Sequence, residues 1–203
     1  MAALWLLATD LIGQISPHLS NANNTAEAPP RSQRAYDTAS IGYIRGDLWA
    51  EYARTLASEL QVTKPSASAL ALDSVRRAAE RAVRLAPINA AVWLILAETD
   101  LRQSDTKTSS EALKMSYYTG PNDLSLIPDR LRLATQTKLS DPELQMIVGD
   151  DIRTILLFRP DLRPALISAY RGASAQGKSS IDVVVQSTDP SFLASLHGDA
   201  LPQ

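Results

Sequence analysis

The sequence predicts an all-α protein, and three observations lead to that prediction. Hydrophobic residues make up 45% of the 203 residues, whereas aromatic residues make up only 5%, a composition that favours helices over sheets. Apolar residues recur at spacings of three and four along much of the chain, which places them on one face of a helix. Prolines and glycines separate these periodic segments, as expected where one helix ends and the next begins.

The clearest segment runs from Ala78 to Ala97 and predicts the end of one helix, a turn, and the start of the next. Pro87 ends the first helix because it lacks a backbone donor and disfavours helix at the residue before it. Asn89 is expected to cap the second helix with its side-chain oxygen. The apolar face of the first helix comprises Val75, Ala78, Ala79, Ala82, Val83 and Leu85. The charged face comprises Arg76, Arg77, Glu80, Arg81 and Arg84.

This junction resembles the boundary between two tetratricopeptide repeats. The matching residues are Ala82, Pro87, Asn89, Trp93, Leu96 and Ala97. In that family a helix ends in Ala-x4-Pro, and the next opens with a large residue, followed by a leucine and a small residue. Pro87 and Pro121 are also one repeat length apart. Asp100 departs from the pattern, since the family often has an aromatic residue there, and an ordinary helical hairpin with a proline turn is the alternative.

The resemblance implies a right-handed stack of antiparallel helical hairpins, a TPR-like superhelix whose concave face holds a peptide or helix of another protein. We expect a non-enzymatic interaction scaffold or adaptor. A self-associating structural subunit, and so a homo-oligomer, is one alternative. A helical domain that binds a small ligand is a weaker one. The composition looks bacterial, which leaves the cytoplasm and an inner-membrane or periplasmic location open.

Four regions are expected along the chain: an apolar segment at 1–20, a linker at 21–34, the helical domain at 35–196 and a tail at 197–203. The first segment is too short to span a bilayer. Helical spacing instead aligns Leu4, Leu7, Leu11 and Ile15 in one stripe. A helix that docks on the domain or on a partner, a membrane-proximal remnant of a longer segment, and a degenerate signal sequence remain open for it.

The first half of the domain is expected to contain four helices. Asp47 is a candidate N-cap for a helix that reaches about residue 60 and pairs with a helix over 70–86. A helix over 90–101 follows the proline turn. The polar stretch 103–110 predicts a loop before a helix at 111–118, which Gly120 and the proline after it would end.

The second half predicts helices near 124–137, from Pro142 to about Phe158, over 163–173 and around 180–186, with a short terminal helix from Asp189. Asp141 or Ser140 would cap the helix that runs from Pro142 to about Phe158, with Pro142 in its first turn. The valine run at 183–185 has strand character, but its helical neighbours favour a helix.

Several kinds of chemistry are excluded or disfavoured. The absence of cysteine excludes disulfides, thiol catalysis and thiolate metal sites. His18 and His197 lie in no metal-binding spacing and are expected to be solvated outside the packed region. Phosphate loops and nucleophile elbows are absent from the sequence. The net charge of −2 gives no reason to expect nucleic acid. Neither a cofactor nor a metal is therefore expected.

Three features are candidates for binding or partner contact. Tyr117 and Tyr118 are adjacent and cannot both face the core, so one is expected at an edge or groove. Arg77, Arg81 and Arg84 form a basic face that could bind an acidic peptide or lipid head groups, with a solvated helix surface as the alternative. Residues 153–160 are apolar nearly all round their helix and are either central or covered by a partner. Asp150 and Asp151 are expected to face solvent or pair with Arg153.

Overall fold

The computed structural model describes residues 30–42, 44–63, 69–136 and 141–198. Within these ranges the chain forms ten α-helices, three short 3-10 turns and no strand. The prediction of an all-α fold is therefore confirmed. The predicted apolar segment 1–20, His18 and most of the predicted linker lie outside the described residues.

Four helices precede the middle of the chain: α1 Arg31–Ile41, α2 Gly46–Thr63, α3 Ala69–Leu85 and α4 Ala90–Arg102. Six follow: α5 Thr106–Thr119, α6 Ile127–Gln136, α7 Pro142–Phe158, α8 Arg163–Gly172, α9 Ala175–Thr188 and α10 Leu193–His197. The 3-10 turns are Leu124–Leu126, Pro160–Leu162 and Pro190–Phe192. The chain divides into two compact units, the first ending at Ile95 and the second beginning at Leu96. In the described part of the chain, no helix is both long enough and apolar enough to span a membrane.

The first unit is built on helices that meet through small side chains. α2 packs against both α1 and α3. Because alanine has a single methyl group, helices that present it to one another can approach closely. Next to this interface, the Arg81 guanidinium carbon lies 4.6 Å from the centre of the Trp49 ring. The buried alanines of the three helices are Ala39, Ala50, Ala53, Ala78, Ala79 and Ala82.

The turn between α3 and α4 has the predicted capping. The Asn89 side-chain oxygen accepts a hydrogen bond of 3.2 Å from the Val92 amide. The indole nitrogen of Trp93 donates a hydrogen bond of 2.7 Å to the Pro87 carbonyl. The large residue of the junction thus fixes the turn that precedes its own helix.

The beginning of the first unit differs from the prediction at two points. α1, where no helix was predicted, begins at Arg31, so helical backbone extends into the predicted linker. α2 begins at Gly46, which places Asp47 inside the first turn rather than at the N-cap. The Asp47 carboxylate pairs with Arg45 at 2.5 Å, and that bond lowers the pKa of Asp47.

In the second unit, alternate helices make the most extensive contacts. α6 packs on α8 and α7 packs on α9, while α5 contacts both α6 and α7. The predicted helices at 163–173 and 180–186 are both present, and the valine run lies within α9. Asp141 caps α7 by accepting a hydrogen bond of 2.9 Å from the Glu143 amide, as the sequence predicts. The fully buried large aliphatic side chains here are Leu113, Leu131, Leu133, Leu144, Ile152, Ile155, Leu166, Ile181 and Leu196.

The loop predicted at 103–110 is correct for residues 103–105 and wrong for the rest, because α5 already begins at Thr106. The polar residues that suggest a loop are the capping groups of this helix. Asp105 accepts a hydrogen bond of 3.1 Å from the Thr108 amide. The Ser109 hydroxyl, which is buried, donates a hydrogen bond of 2.7 Å to the Ala97 carbonyl. A polar sequence is therefore compatible with helix here, since its side chains satisfy backbone groups.

A close contact joins the end of α6 to the start of α9. The Thr135 carbonyl accepts hydrogen bonds from the Ser174 amide at 3.0 Å and from the Ser174 hydroxyl at 3.2 Å. The same hydroxyl caps α9 by accepting from the Gly177 amide at 3.1 Å. A Cβ atom on Gly177 would lie 3.2 Å from the Thr135 carbonyl carbon and closer still to its oxygen. Glycine is therefore required at 177 by the approach of the α6 backbone.

Gly177→Ala is expected to destabilise the protein by about 1–3 kcal/mol, because a rigid backbone carbonyl occupies the position of the new methyl group. Gly149→Ala is the matched control on α7, where the nearest atoms to the added methyl group lie 3.6 Å away. It should be neutral or stabilising by up to about 1 kcal/mol, as is usual for alanine in place of glycine within a helix. Urea unfolding of the two variants measures both effects. Equal stabilities would contradict the proposed constraint.

Candidate functional site

The two adjacent tyrosines of α5 point in opposite directions. Tyr117 is 5% exposed and Tyr118 is 52% exposed. The prediction that only one of them faces the core is confirmed. Of the two candidate contact residues, only Tyr118 is therefore accessible to a partner in this conformation.

Tyr117 packs against a fully buried arginine. Arg130 of α6 has no exposed surface, and its guanidinium carbon lies 4.6 Å from the centre of the Tyr117 ring. Its Nη2 donates to the Ser116 carbonyl at 2.5 Å and to the Gly120 carbonyl at 3.0 Å, while Nε donates to the Ser116 hydroxyl at 3.1 Å. These carbonyls belong to the last turn of α5, where helical partners are missing. Arg130 thus satisfies the C-terminal end of the preceding helix.

Asp151 of α7 completes this cluster from a third helix. We expected Asp150 and Asp151 to be solvated or paired with Arg153, and this is correct for Asp150, which pairs with Arg153 at 2.6 Å. It is wrong for Asp151, whose carboxylate lies in the interior beside Tyr117 and Arg130. Consecutive helical residues diverge by about 100°, so one of two adjacent aspartates can face inward. A buried arginine that needs a counter-charge was the missing signal.

Burial shifts the pKa values of Asp151, Tyr117 and Arg130. Burial raises the pKa of Asp151 to about 6, and the Tyr117 hydroxyl and the Arg130 charge oppose this shift without cancelling it. Burial also raises the pKa of Tyr117 well above its usual value, and the Asp151 charge adds to the effect. The pKa of Arg130 is lowered by burial. We name Ser116, Tyr117, Arg130 and Asp151 the buried polar cluster.

A second set of polar contacts joins the surface of α5 to the start of α7. The Lys114 ammonium lies 2.8 Å from Asp141 and 3.4 Å from Glu143. The hydrogen bond to Asp141, together with Glu111, raises the pKa of Lys114. The Tyr118 hydroxyl donates a hydrogen bond to Glu143. The exposed tyrosine is therefore held against the first turn of α7 by its polar end, which leaves the ring partly open to solvent.

A groove of about 460 Å³ runs between α7 and α9. Two large apolar side chains that line it, Met146 and Val183, are among the most exposed in the second unit. Small residues also line the groove, and Arg153 adds a guanidinium. The remaining lining residues are Gly149, Ser179 and Ser180, which are small, and Pro142, Gln145 and Val184. Sequence patterns do not predict this groove, because its residues are typical of an ordinary helix surface.

The three arginines predicted as a basic face are engaged on the surface of the first unit. Arg77 pairs with Asp73 one helical turn earlier. Arg84 lies 3.9 Å from Glu80, and Arg81 covers the Trp49 ring. Pairs of this kind are typical of a solvated helix surface, the alternative given for these residues.

The described residues contain no group of three or more histidine, aspartate or glutamate side chains arranged to hold a metal ion. His197 is exposed, as predicted. It does not lie outside the packed region, however, because it is the last residue of α10. Its Nε2 lies 2.9 Å from Asp182, which also accepts a hydrogen bond of 3.3 Å from the Tyr170 hydroxyl. This contact ties the last helix to α8 and α9.

Arg130→Met is expected to destabilise the protein by about 3 kcal/mol or more, because it leaves the buried Ser116 and Gly120 carbonyls without their donor. It also removes the positive charge near the Asp151 carboxylate. Arg132→Met is the matched control two residues away. Arg132 is partly exposed and pairs with Glu98 and Asp129, so its loss should cost no more than about 1 kcal/mol. Thermal or urea unfolding distinguishes the two. A small effect at both positions would contradict the role of Arg130.

The raised pKa of Asp151 predicts a pH-dependent stability. The native state holds this proton more tightly than the unfolded chain, whose aspartate titrates near 3.8. The stabilisation is complete below the unfolded value and is lost as the pH rises through about 6. Between pH 8 and pH 5 the free energy of unfolding of the wild type should therefore rise relative to Asp151→Asn by about 1–2 kcal/mol.

Unfolding curves collected across this pH range measure the difference between Asp151→Asn and the wild type. Asp150→Asn is the control on the exposed side of the same helix, and its difference from the wild type should not follow the same pH course. A difference for Asp151→Asn that stays constant from pH 8 to pH 5 would show that its carboxyl group has an ordinary pKa.

No protein family, curated protein or solved structure matches this chain.

Proposed function

We propose that this chain is a non-enzymatic scaffold that binds another protein in the groove between α7 and α9. The observation that favours this function is the exposure of Met146 and Val183 on the two sides of that groove. Exposed apolar side chains that line a concavity are typical of protein-binding surfaces. Methionine also suits such a site, because its flexible and polarisable side chain adapts to the surface it meets.

The arrangement of the second unit supports a helical repeat of tetratricopeptide type. In a stack of helical hairpins, each helix packs against its counterpart in the next hairpin. The α6–α8 and α7–α9 contacts have this alternating order. The proline turn fixed by Asn89 and Trp93 agrees with the resemblance at the repeat junction. We therefore propose a right-handed stack in which the α7–α9 groove forms part of the binding face.

The partner that suits the groove best is an amphipathic helix of another protein. Gly149 lines the groove without a side chain to fill it, which leaves room for a helix at that point. Met146 and Val183 would cover the apolar face of that helix. Arg153, which pairs with the exposed Asp150, can donate to a carboxylate on the polar side of the partner.

The test begins with crosslinked capture of the chain from its own host, followed by reconstitution of any captured partner from purified components. Met146→Glu and Val183→Glu should each weaken that complex at least about tenfold, since both bring a charge into the apolar contact. Leu157→Glu is the matched control. Leu157 is an exposed leucine of α7 that does not line the groove.

Three outcomes of this experiment would contradict the proposal. A partner that binds the two groove variants as tightly as the wild type uses another surface. A partner lost only with Leu157→Glu would move the binding site to the end of α7, where Leu157 and Phe158 are both exposed. A complex that contains only copies of this chain, and dissociates on dilution, would indicate the self-associating subunit instead of an adaptor.

A further inference from the structure

Two turns of the first unit meet through a glycine. A Cβ atom on Gly46 would lie 2.8 Å from the Ala86 Cβ and 3.0 Å from the Leu85 Cβ. The start of α2 therefore lies directly against the end of α3. Since Gly46 follows the α1–α2 turn and Ala86 opens the α3–α4 turn, these two turns lie side by side at one end of the helices.

This end of the first unit presents four exposed aliphatic side chains. Ile41 ends α1 and Ile44 lies in the turn that follows it, while Leu85 ends α3 and Ile88 lies in the turn that follows it. We call these four residues the turn edge. The arginines next to it are paired with nearby acids, Arg45 with Asp47 two residues later and Arg84 with Glu80 on the same helix. An apolar patch bordered by such groups is a surface on which another apolar surface can dock.

The sequence contains a segment of the same chain that suits this surface. Leu4, Leu7, Leu11 and Ile15 share one face if residues 4–15 are helical. Residues 1–20 contain no lysine or arginine, and Asp10 is their one acidic residue. Helices that lie on a lipid surface are usually rich in lysine and arginine on their polar face. The composition therefore favours a protein surface over a membrane surface for this stripe.

The connection is long enough for the segment to fold back. Fourteen residues lie between Ile15 and Pro30, and an extended chain of that length spans up to about 45 Å. Helix α1 has 11 residues and is therefore about 16 Å long. We propose that residues 4–15 dock on the turn edge of their own chain, with the Leu4, Leu7, Leu11 and Ile15 stripe against Ile41, Ile44, Leu85 and Ile88. This contact is independent of the α7–α9 groove.

Disulfide trapping tests the contact in the 203-residue chain, whose sequence contains no cysteine. One variant combines Leu7→Cys with Ile88→Cys, and the control combines Leu7→Cys with Leu70→Cys. Ile88 and Leu70 are equally accessible, at 79% and 80% exposed, and both belong to the first unit. In dilute solution without lipid, the intrachain disulfide should form at least about tenfold faster in the first variant, because docking raises the effective concentration of the two thiols.

Two further substitutions, each made in the Leu7→Cys and Ile88→Cys background, separate docking from random collision. Leu11→Asp places a charge in the stripe and should remove the rate difference. Thr9 lies on the opposite face of the same predicted helix, so Thr9→Asp should leave the rate difference unchanged. Unfolding curves of the reduced variants confirm that the first unit is intact in each.

Three results would overturn the proposal. Equal rates for the two cysteine pairs would show that the segment does not prefer the turn edge. Disulfides that form between chains, in proportion to concentration, would assign the edge to a second copy. Absence of the intrachain disulfide, together with binding to vesicles of neutral or anionic lipid that Ile88→Asp abolishes, would assign it to a membrane surface.

Discussion

The second unit depends on the burial of one arginine. Arg130 leaves water entirely, which is costly for a guanidinium unless its donors and its charge are matched. α5 contributes two carbonyls and a serine hydroxyl as acceptors, and the Asp151 carboxylate of α7 lies near enough to favour the charged form of Arg130. Three helices therefore meet around this one guanidinium. The position of α5 relative to α7, and hence of the exposed Tyr118 relative to Glu143, follows from this requirement.

A similar arrangement recurs later in the second unit. The Arg163 guanidinium at the start of α8 donates at 2.9 Å to the Leu156 carbonyl in the last turn of α7. Its carbon lies 5.1 Å from the centre of the Phe192 ring, much as Arg130 lies over Tyr117. In both places an arginine reaches back to the end of the preceding helix and covers an aromatic ring. Its planar donors and weak hydration suit it to both contacts, which lysine could not replace.

Much of the fold follows from local sequence, and the exceptions have physical causes. Pro87, Asn89, Asp141 and Pro142 act through their own or nearby backbone groups, so their turns and caps are predictable from a few residues. The start of α5 was missed because polar side chains there satisfy backbone groups of a helix, which composition does not reveal. The inward position of Asp151 depends on Arg130, 21 residues earlier, and no short pattern records such a pairing. The α7–α9 groove is missed for the same reason, since it exists only once two separate helices pack.

The reach of an arginine into the helix before it also affects how the second unit would open. The last carbonyls of α5 obtain their partners from α6, and a carbonyl at the end of α7 obtains its partner from α8. Fraying of one helix end therefore removes contacts from the next helix as well. Slow amide exchange should consequently be shared between neighbouring helices, with α5 to α8 opening as one cooperative segment. During synthesis, α5 would remain incompletely ordered until α6 had left the ribosome.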